Sequence, residues 1–384
     1  IGIGRIQRGQ VHRNDVVAIA APGGKVRKKR ILQILGFEGL ERIESESAVA
    51  GDIVAVTGLD ALSISDTLCD PEAVEPLFPL SVDQPTLSMT FQVNDSPFAG
   101  REGRFVTSRN LRERLERELI HNVALRVEPM EDLDKFRVSG RGELHLSILI
   151  ENMRREGFEL AISRPEVIMR EEQGVIHEPF ETLTVDVEEA YQGRVMERLG
   201  ERRAQLRDMV PDGAGRVRLD YLVPSRGLIG FRSEFLTISS GTGLMYHAFD
   251  HYAPRVDGNL AERNNGVLVS MAAGKALAYA LFNLQERGRL FIGHGVEVYE
   301  GMIIGIHSRS NDLVVNPLKA KQLTNIRAAG TDENLLLSPP VSTTLEYALE
   351  FINEDELVEV TPESIRIRKK YLREHERKRA SRAA

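Results

Sequence analysis

The chain has 384 residues, enough for about two to four domains of ordinary size. Its 42% hydrophobic and 28% charged residues are typical of a soluble folded protein and exclude a disordered or collagen-like one. The net charge of −7 gives no overall indication of a nucleic-acid binder, and no apolar run approaches the roughly 20 residues that cross a bilayer. Because Cys69 is the only cysteine, no internal disulfide can form, and we expect a cytoplasmic protein.

Residues 1–79 predict a small antiparallel β-barrel. Short alternating stretches are separated by turn signals such as Pro22-Gly23-Gly24. The strand pattern is already under way at Ile1, without an initial methionine, so we expect further sequence upstream. Prolines then mark a linker at the end of this domain, at Pro71, Pro76, Pro79 and Pro85.

Residues 80–170 and 171–257 each predict the order strand, helix, strand, strand, helix, strand. Apolar residues at helical spacing predict the helices at about 107–122 and 142–155, then at about 192–206 and 228–237. This order is that of a ferredoxin-like sandwich, in which two helices cover one face of an antiparallel sheet. The sequence therefore predicts an internal structural repeat.

Residues 258–384 predict a mixed α/β domain with helices near 275–284 and 345–351. The segment 307–337 is polar and weakly periodic, and we expect it to be poorly ordered without RNA. Charge is polarised at the end of the chain: seven acidic and no basic residues lie between Glu346 and Glu363, and nine basic residues follow between Arg366 and Arg382. Such a basic tail fits a solvated end and a phosphate contact equally well.

No catalytic, metal or cofactor site is evident in the sequence. The string Ala273-Gly274-Lys275-Ala276 lacks the first glycine and the final hydroxyl of a phosphate-binding loop, and we expect Lys275 in the first turn of a helix. His247 and His251 are four residues apart, but a zinc site needs three or four ligands, so we expect both to be structural. No nucleophile elbow is present either.

Two groups of polar and cationic residues are candidates for RNA contacts. Arg194, Arg198 and Arg202 recur at helical spacing and could form either a phosphate-binding ridge or a solvated face with ion pairs. The second group follows the predicted strand near residue 306, has Asp312 as its only acid, and is either an RNA surface or an ordinary mobile loop. Its candidate residues are His307, Ser308, Arg309, Asn311, Lys319, Lys321, Asn325 and Arg327.

Long motifs in the chain resemble parts of translational GTPases. GRIQRGQV (4–11) resembles the β-barrel that follows the G domain, and SGRGELHLS (139–147) resembles the third domain of elongation factor G. GRVMERLGERR (193–203) and VPSRGLIGFRSEF (223–235) resemble that factor's last domain. HSRSNDLVVNPLKAKQLTN (307–325) and ELVEVTPESIRIRKK (356–370) resemble the BipA/TypA family of ribosome-associated GTPases.

The resemblance implies four domains: a translation-factor barrel (1–79), sandwiches like domains III and V of elongation factor G (80–170 and 171–257), and a family-specific RNA-binding domain (258–384). It also implies that the G domain, with GTP and magnesium, lies upstream of Ile1, so we expect no GTP hydrolysis and no cofactor in this chain.

The partners implied by the resemblance are the ribosome, through its ribosomal RNA, and the A-site tRNA, with no membrane contact and a monomer off the ribosome. The implied role is in translation regulation, ribosome assembly and stress adaptation. Two alternatives stay open: a nucleotide triphosphatase acting through Lys275, and a self-association scaffold that uses the acidic stretch or an unpaired barrel edge.

Overall fold

The structure is a computed structural model. It describes residues 1–39, 41–60, 62–80, 84–258, 260, 263, 265–320 and 335–383. The chain forms two compact units, Ile1–Asp83 with Arg117–Val123, and Gln84–Glu116 with Ala124–Ala384. Both are rich in antiparallel sheet, and the second also carries helices.

The first unit consists of short strands in three antiparallel sheets, ordered β1-β8-β5-β6, β4-β3-β9 and β2-β7. Alternation along the strands buries Val17, Ile19, Ile34 and Val54 in a common core. The strands are β1 (Gly2–Arg5), β2 (Gln10–His12), β3 (Val16–Ala20), β4 (Val26–Arg30), β5 (Ile34–Glu38), β6 (Glu41–Ser45), β7 (Ser47–Val49), β8 (Ile53–Val56) and β9 (Thr67–Cys69).

The second unit begins with four strands and two helices whose sheet order is β11-β12-β10-β13. The second helix of this segment buries Leu146, Leu149, Ile150 and Met153, and ends at Gly157, whose φ of 99° is left-handed. The elements are β10 (Leu87–Val93), α1 (Ser108–Leu119), β11 (Arg126–Pro129), β12 (Lys135–Gly140), α2 (Glu143–Glu156) and β13 (Leu160–Ile162).

The middle of the second unit repeats that order around its own core. Its sheet runs β15-β16-β18-β17, with β19 also paired to β16. The core between this sheet and its helices includes Leu183, Val195, Leu219 and Phe235. The elements are β14 (Glu166–Val167), β15 (Arg170–Glu172), β16 (Val175–Glu188), α3 (Glu189–Glu201), β17 (Gln205–Pro211), β18 (Arg216–Pro224), α4 (Ser225–Leu228), α5 (Phe231–Ile238) and β19 (Leu244–Pro254).

The last part of the second unit extends the first sheet. Its strands continue the order as β13-β26-β27-β24-β20-β25, so that one sheet of 11 strands passes through both segments. The elements are β20 (Val267–Ser270), β21 (Gly274–Lys275), α6 (Ala278–Leu284), β22 (Gly288–Leu290), β23 (Glu297–Val298), β24 (Met302–His307), β25 (Leu313–Val315), α7 (Leu345–Phe351), β26 (Glu356–Val360), β27 (Ile365–Lys369) and α8 (Glu374–Ala383).

The expectation that Lys275 lies in the first turn of a helix is wrong. Lys275 belongs to strand β21 and pairs with Glu297 of β23, and the helix begins only at Ala278. Gly274 has a φ of 146°, a conformation open to glycine but not to a helical residue. The resemblance of this string to a phosphate-binding loop therefore has no counterpart in the backbone.

Buried ion pairs and hydrogen bonds connect the C-terminal strands β26 and β27 to residues 94–102. Glu359 of β26 is fully buried and accepts hydrogen bonds from Arg366 (3.0 Å), from the Tyr299 hydroxyl and from Asn94 (3.3 Å). Arg366 also pairs with Glu102. Burial raises the pKa of Tyr299 well above its ordinary value of 10, so the hydroxyl stays protonated and donates to Glu359. None of the helices described is both long and apolar enough to cross a membrane.

Candidate nucleic-acid interface

The three arginines of the predicted ridge have different environments. Arg194 is exposed on α3 and has no ion-pair partner among the described residues. Arg198 pairs with Glu201 and with Glu234 of α5. Arg202 lies just beyond the helix, at its C-cap, rather than on its surface.

Arg202 is engaged inside the protein. Its Nη1 donates to the carbonyl oxygens of Gly227 (2.7 Å) and Ile229 (3.0 Å), and its Nη2 donates to Glu234 (3.0 Å). The side chain is 15% exposed, and burial lowers the pKa of this guanidinium although Glu234 opposes the shift. Arg202 therefore fastens the end of α3 to the α4–α5 segment.

A surface cleft of about 550 Å³ lies between α3 and α5. Its lining carries three carboxylates, from Glu197, Glu201 and Glu234, against the guanidinium groups of Arg194 and Arg198. Arg198 is already paired with two of those carboxylates, so among the described residues that line the cleft Arg194 is the cation without an ion-pair partner. The cleft as a whole is not a phosphate site.

His307 and Ser308 build the turn that follows β24. His307 is buried, and its Nδ1 donates to the carbonyl oxygen of Asn311 at 2.6 Å, which fixes the proton on Nδ1. The Ser308 hydroxyl donates to the carbonyl oxygen of Arg287 at 2.9 Å. Both side chains hold the backbone of this turn in place, His307 as a buried residue and Ser308 as an exposed one.

Arg309, Asn311 and Lys319 are exposed. Neither Arg309 nor Lys319 forms an ion pair with any residue that the structure describes. Asp312, the only acid among residues 307–327, pairs with Lys369 at 2.6 Å, which it shares with Asp355 and Glu356, and accepts from the Val267 amide at 3.0 Å. Arg309 and Lys319 therefore lie beside an acid that already has a cationic partner.

The remaining candidates, Lys321, Asn325 and Arg327, lie outside the described residues, as does the central part of the segment 307–337 that was expected to order on RNA. Lys319 is the last of the candidate cations that the structure places.

Two arginines that sequence reasoning missed lie beside this segment. Both are exposed: Arg287 directly precedes β22 and Arg289 lies within it. Strand β22 pairs with the end of β24. The amide of Ser308 donates to the carbonyl oxygen of Arg287 at 2.9 Å. The pairing thus brings Arg287 to Ser308, the neighbour of Arg309 in the chain, and places Arg289 opposite Ile306. We call Arg287, Arg289, Ser308, Arg309 and Asn311 the β22–β24 patch.

The histidines expected to be structural each face a carboxylate. His247 lies 2.6 Å from Glu181, which raises the pKa of the imidazole, and His251 pairs with Asp250. Within the described ranges no group of three or more histidine, cysteine, aspartate or glutamate side chains could hold a metal ion.

Three family profiles match successive parts of the chain. Residues 1–69 match elongation factor Tu domain 2, residues 175–264 match the elongation factor G C-terminus, and residues 265–374 match the TypA/BipA C-terminal domain. The last match contains all residues of the β22–β24 patch and also Lys319.

Curated relatives match this chain along its whole length. The protein named large ribosomal subunit assembly factor BipA is 64% identical over 383 residues in Escherichia coli (strain K12), and its counterparts in Haemophilus influenzae and Buchnera aphidicola are 62% and 57% identical over 382 residues. Each alignment covers 100% of this chain but only 62–63% of the relative's length. Such identity over the whole chain, together with the TypA/BipA profile, establishes that the chain belongs to the BipA/TypA family.

Proposed function

We propose that this chain is the ribosome- and tRNA-binding portion of a BipA/TypA-type translational GTPase, and that the β22–β24 patch with Lys319 contacts RNA. The proposal rests on a group of exposed cations that have no ion-pair partner among the described residues, Arg287, Arg289, Arg309 and Lys319, on a chain with a net charge of −7. RNA phosphates attract such a local group, although the net charge of the whole chain is negative.

The contacts divide by chemistry. Arginine and lysine neutralise phosphates. Asn311 is an exposed neutral group whose Nδ2 donates to the carbonyl oxygen of Asp312 at 3.3 Å, and its second N–H can donate to a ribose hydroxyl or a base edge. His307 and Ser308 serve the proposal indirectly, because their hydrogen bonds hold the turn that presents Arg309. Lys321, Asn325 and Arg327, outside the described residues, are proposed as RNA contacts from their side-chain chemistry.

Arg194 contributes a second, weaker contact. It is exposed on α3 and has no ion-pair partner in the described part of the chain, whereas Arg198 and Arg202 pair with Glu234 and position the helix. A single exposed arginine neutralises one phosphate, so its loss reduces affinity less than loss of the patch.

The fold detail belongs to the same proposal. We infer that residues 1–79 form the translation-factor barrel, that 80–170 and 171–257 are the two ferredoxin-like sandwiches, and that 258–384 is the RNA-binding domain. The elongation factor Tu and elongation factor G matches support this division. The relatives' name supports a role in large ribosomal subunit assembly, to which we add the A-site tRNA and stress adaptation as proposed aspects.

The test is ribosome co-sedimentation with the triple variant R287E/R289E/R309E. We expect affinity to fall at least about tenfold, and the slope of log K against log salt to become shallower by about 2, since each lost phosphate contact removes about 0.7–0.9 from the slope. The matched control is R8E/R109E/R155E, which reverses three arginines that are 69%, 86% and 75% exposed elsewhere. Equal weakening by both variants, or unchanged binding by the first, contradicts the proposal.

The tRNA part is tested with the same variants on ribosomes with and without tRNA in the A site. The proposal expects tighter binding of the unaltered chain to the tRNA-filled ribosome, and loss of that difference in the triple variant. No difference for the unaltered chain would remove tRNA from the partners.

A self-association scaffold is the second candidate. Ile1 and Ile3, at the open edge of the sheet β1-β8-β5-β6, are 75% and 60% exposed, which favours edge pairing. The acidic stretch supports it less, because Glu356 and Glu359 are buried. Size-exclusion chromatography separates the candidates: a scaffold elutes as a dimer or larger species at micromolar concentration and does not shift with ribosomal RNA.

A further inference from the structure

The C-terminal helix α8 divides its residues cleanly into an inner and an outer face. His375, Lys378, Arg379 and Arg382 recur at positions i, i+3, i+4 and i+7 and are all exposed. That spacing places four basic side chains on one stripe of a helix. The opposite positions, Glu376, Arg377 and Ala380, are half-buried.

The inner face connects α8 to the residues just before it. Arg377 Nη1 donates to the carbonyl oxygen of Tyr371 at 3.0 Å and to that of Leu372. Leu372 in turn packs against the core of the C-terminal segment. Glu376 accepts from the Arg373 amide at 3.4 Å, which satisfies one free N–H at the start of the helix. These hydrogen bonds cap the start of α8 and tie its first turns to the backbone of residues 371–373.

The nine basic residues between Arg366 and Arg382 serve two purposes. Arg366, Arg368 and Lys369 are 13%, 0% and 3% exposed and pair with carboxylates, and Arg377 binds carbonyl groups. The other five, Lys370, Arg373, Lys378, Arg379 and Arg382, are exposed. Of these five, only Lys378 has an ion-pair partner among the described residues, Glu374 on the same helix.

The composition of the stripe limits its partner. Helix α8 carries no large apolar side chain, so it has nothing to insert into a lipid surface. It also offers no side-chain amide or aromatic ring other than His375 for reading or stacking on bases. From His375 to Arg382 the stripe spans about 10 Å along the helix axis, long enough to follow successive phosphates of one strand.

We propose that the outer stripe of α8 is a second RNA contact, which binds the sugar–phosphate backbone without reading sequence and does so independently of the β22–β24 patch. The proposal rests on the proposed function for the class of partner, RNA, but not on the patch itself. Arginine dominates the far end of the stripe, where its planar guanidinium can take two oxygens of one phosphate.

The experiment uses the full chain with the variants R379Q/R382Q and R379E/R382E, and as probe a 20-base-pair RNA duplex of arbitrary sequence measured by fluorescence anisotropy. We expect a loss of about tenfold for R379E/R382E at low salt, a smaller loss for R379Q/R382Q, and a salt slope shallower by about 1.5, in line with two lost phosphate contacts. R379K/R382K keeps the charge and should bind within about threefold of the unaltered chain. R379Q/R382Q controls for unfolding of α8, because glutamine, unlike glutamate, adds no negative charge at the C-terminal end of the helix, where the helix dipole is already negative.

The control R109E/R155E reverses two exposed arginines on α1 and α2. Equal weakening by this control overturns the proposal, because the effect would then come from net charge. Unchanged duplex binding by R379E/R382E also overturns it. If R379E/R382E lost binding to poly-glutamate but kept its binding to RNA, the stripe would be assigned to an acidic protein instead.

The two proposals fail separately. If R287E/R289E/R309E binds ribosomes normally while R379E/R382E does not bind duplex RNA, the patch is wrong and the stripe stands. The reverse result removes the stripe alone. If each surface acts independently, the losses in log K of the combined variant add.

Discussion

Leu160 of β13 lies directly opposite Val360 of β26 in an antiparallel pair, and both side chains are fully buried. This pairing is the seam at which the sheet formed by β10 to β13 continues into the C-terminal segment. Ala161 opposite Glu359 and Ile162 opposite Val358 complete it. The two segments therefore share one hydrophobic core, which includes Phe91, Leu146 and Val358.

The first prediction concerns this seam. Val360→Ala removes two buried methyl groups and should cost about 2 kcal/mol, with faster amide exchange in β10 and in β24 together. The measurement is hydrogen exchange followed by mass spectrometry. Val195→Ala, in the separate core of the middle segment, is the control and should speed exchange only around α3. If Val360→Ala loosened only one side of the seam, the shared core would not be a cooperative unit.

The second prediction concerns pH. Burial raises the pKa of Glu143 from 4.5 to about 7, and Glu350 adds to the shift while His247 and Arg232 oppose it. Glu143 Oε1 and Glu350 Oε2 are both buried without a donor in the described part of the chain. Because folded Glu143 holds its proton to a higher pH than the unfolded chain does, its contribution to stability falls between about pH 4.5 and 7, by about 3 kcal/mol in total.

Glu143→Gln should therefore flatten the fall in melting temperature between pH 5.5 and 8.5 and be the more stable form at pH 8.5. His247 contributes with the same sign, since its raised pKa gives stability at low pH that is lost as the imidazole deprotonates. Thermal unfolding across this range measures both effects. Glu354→Gln, at an exposed position, is the control, and parallel curves for the unaltered chain and Glu143→Gln would contradict the prediction.

The third prediction separates the arginines of the ridge. Arg202→Ala removes three hydrogen bonds, two to backbone carbonyl oxygens and one to Glu234, and leaves Arg198 as the partner of Glu234, so we expect a loss of about 2–4 kcal/mol of unfolding free energy. Arg194→Ala should change the free energy of unfolding by no more than about 0.5 kcal/mol, because Arg194 is exposed and pairs with no residue that the structure describes. Urea unfolding measures both. If Arg202→Ala did not change the free energy of unfolding, the inward hydrogen bonds of Arg202 would not be structural, and Arg202 would again be a candidate phosphate contact.

The fourth prediction tests the support of the β22–β24 patch. A Cβ at Gly288 would lie 1.8 Å from the carbonyl oxygen of Ile306, so Gly288→Ala must push β22 away from β24. We expect a lower melting temperature and weaker ribosome binding together. Gly293→Ala is the matched control, because nothing lies within 4 Å of its added Cβ. Ribosome binding that survived Gly288→Ala would mean that the patch does not need this strand pair.

Local patterns were sufficient for several elements. The helix predicted at 345–351 is confirmed, because Thr344 caps it by accepting from the Tyr347 amide and Leu345, Ala348 and Leu349 face the core at helical spacing. The inward residues of α2 follow from the same periodicity. The strand conformation of Lys275 could not be predicted from local patterns, because its partner Glu297 lies more than 20 positions later in the chain.

The candidate site was less predictable than the fold, because charge alone does not show which cations are free. Arg202 has the same sequence spacing as Arg194, yet it is bound to Glu234, 32 residues later. Arg287 joins Arg309 only through the pairing of β22 with β24. Alternation in Arg287-Gly288-Arg289 is a signal that could have indicated an exposed strand, but not its neighbour.

The inward-facing cations near the C-terminus determine how shortened chains will behave. A deletion that begins at Arg366 removes β27, and with it the partners of Glu102, Asp95 and Glu356. Its loss of ribosome binding would report misfolding. A deletion that begins at Arg373 removes α8 and leaves Leu372 on its core, so only the second kind of truncation can map an RNA contact.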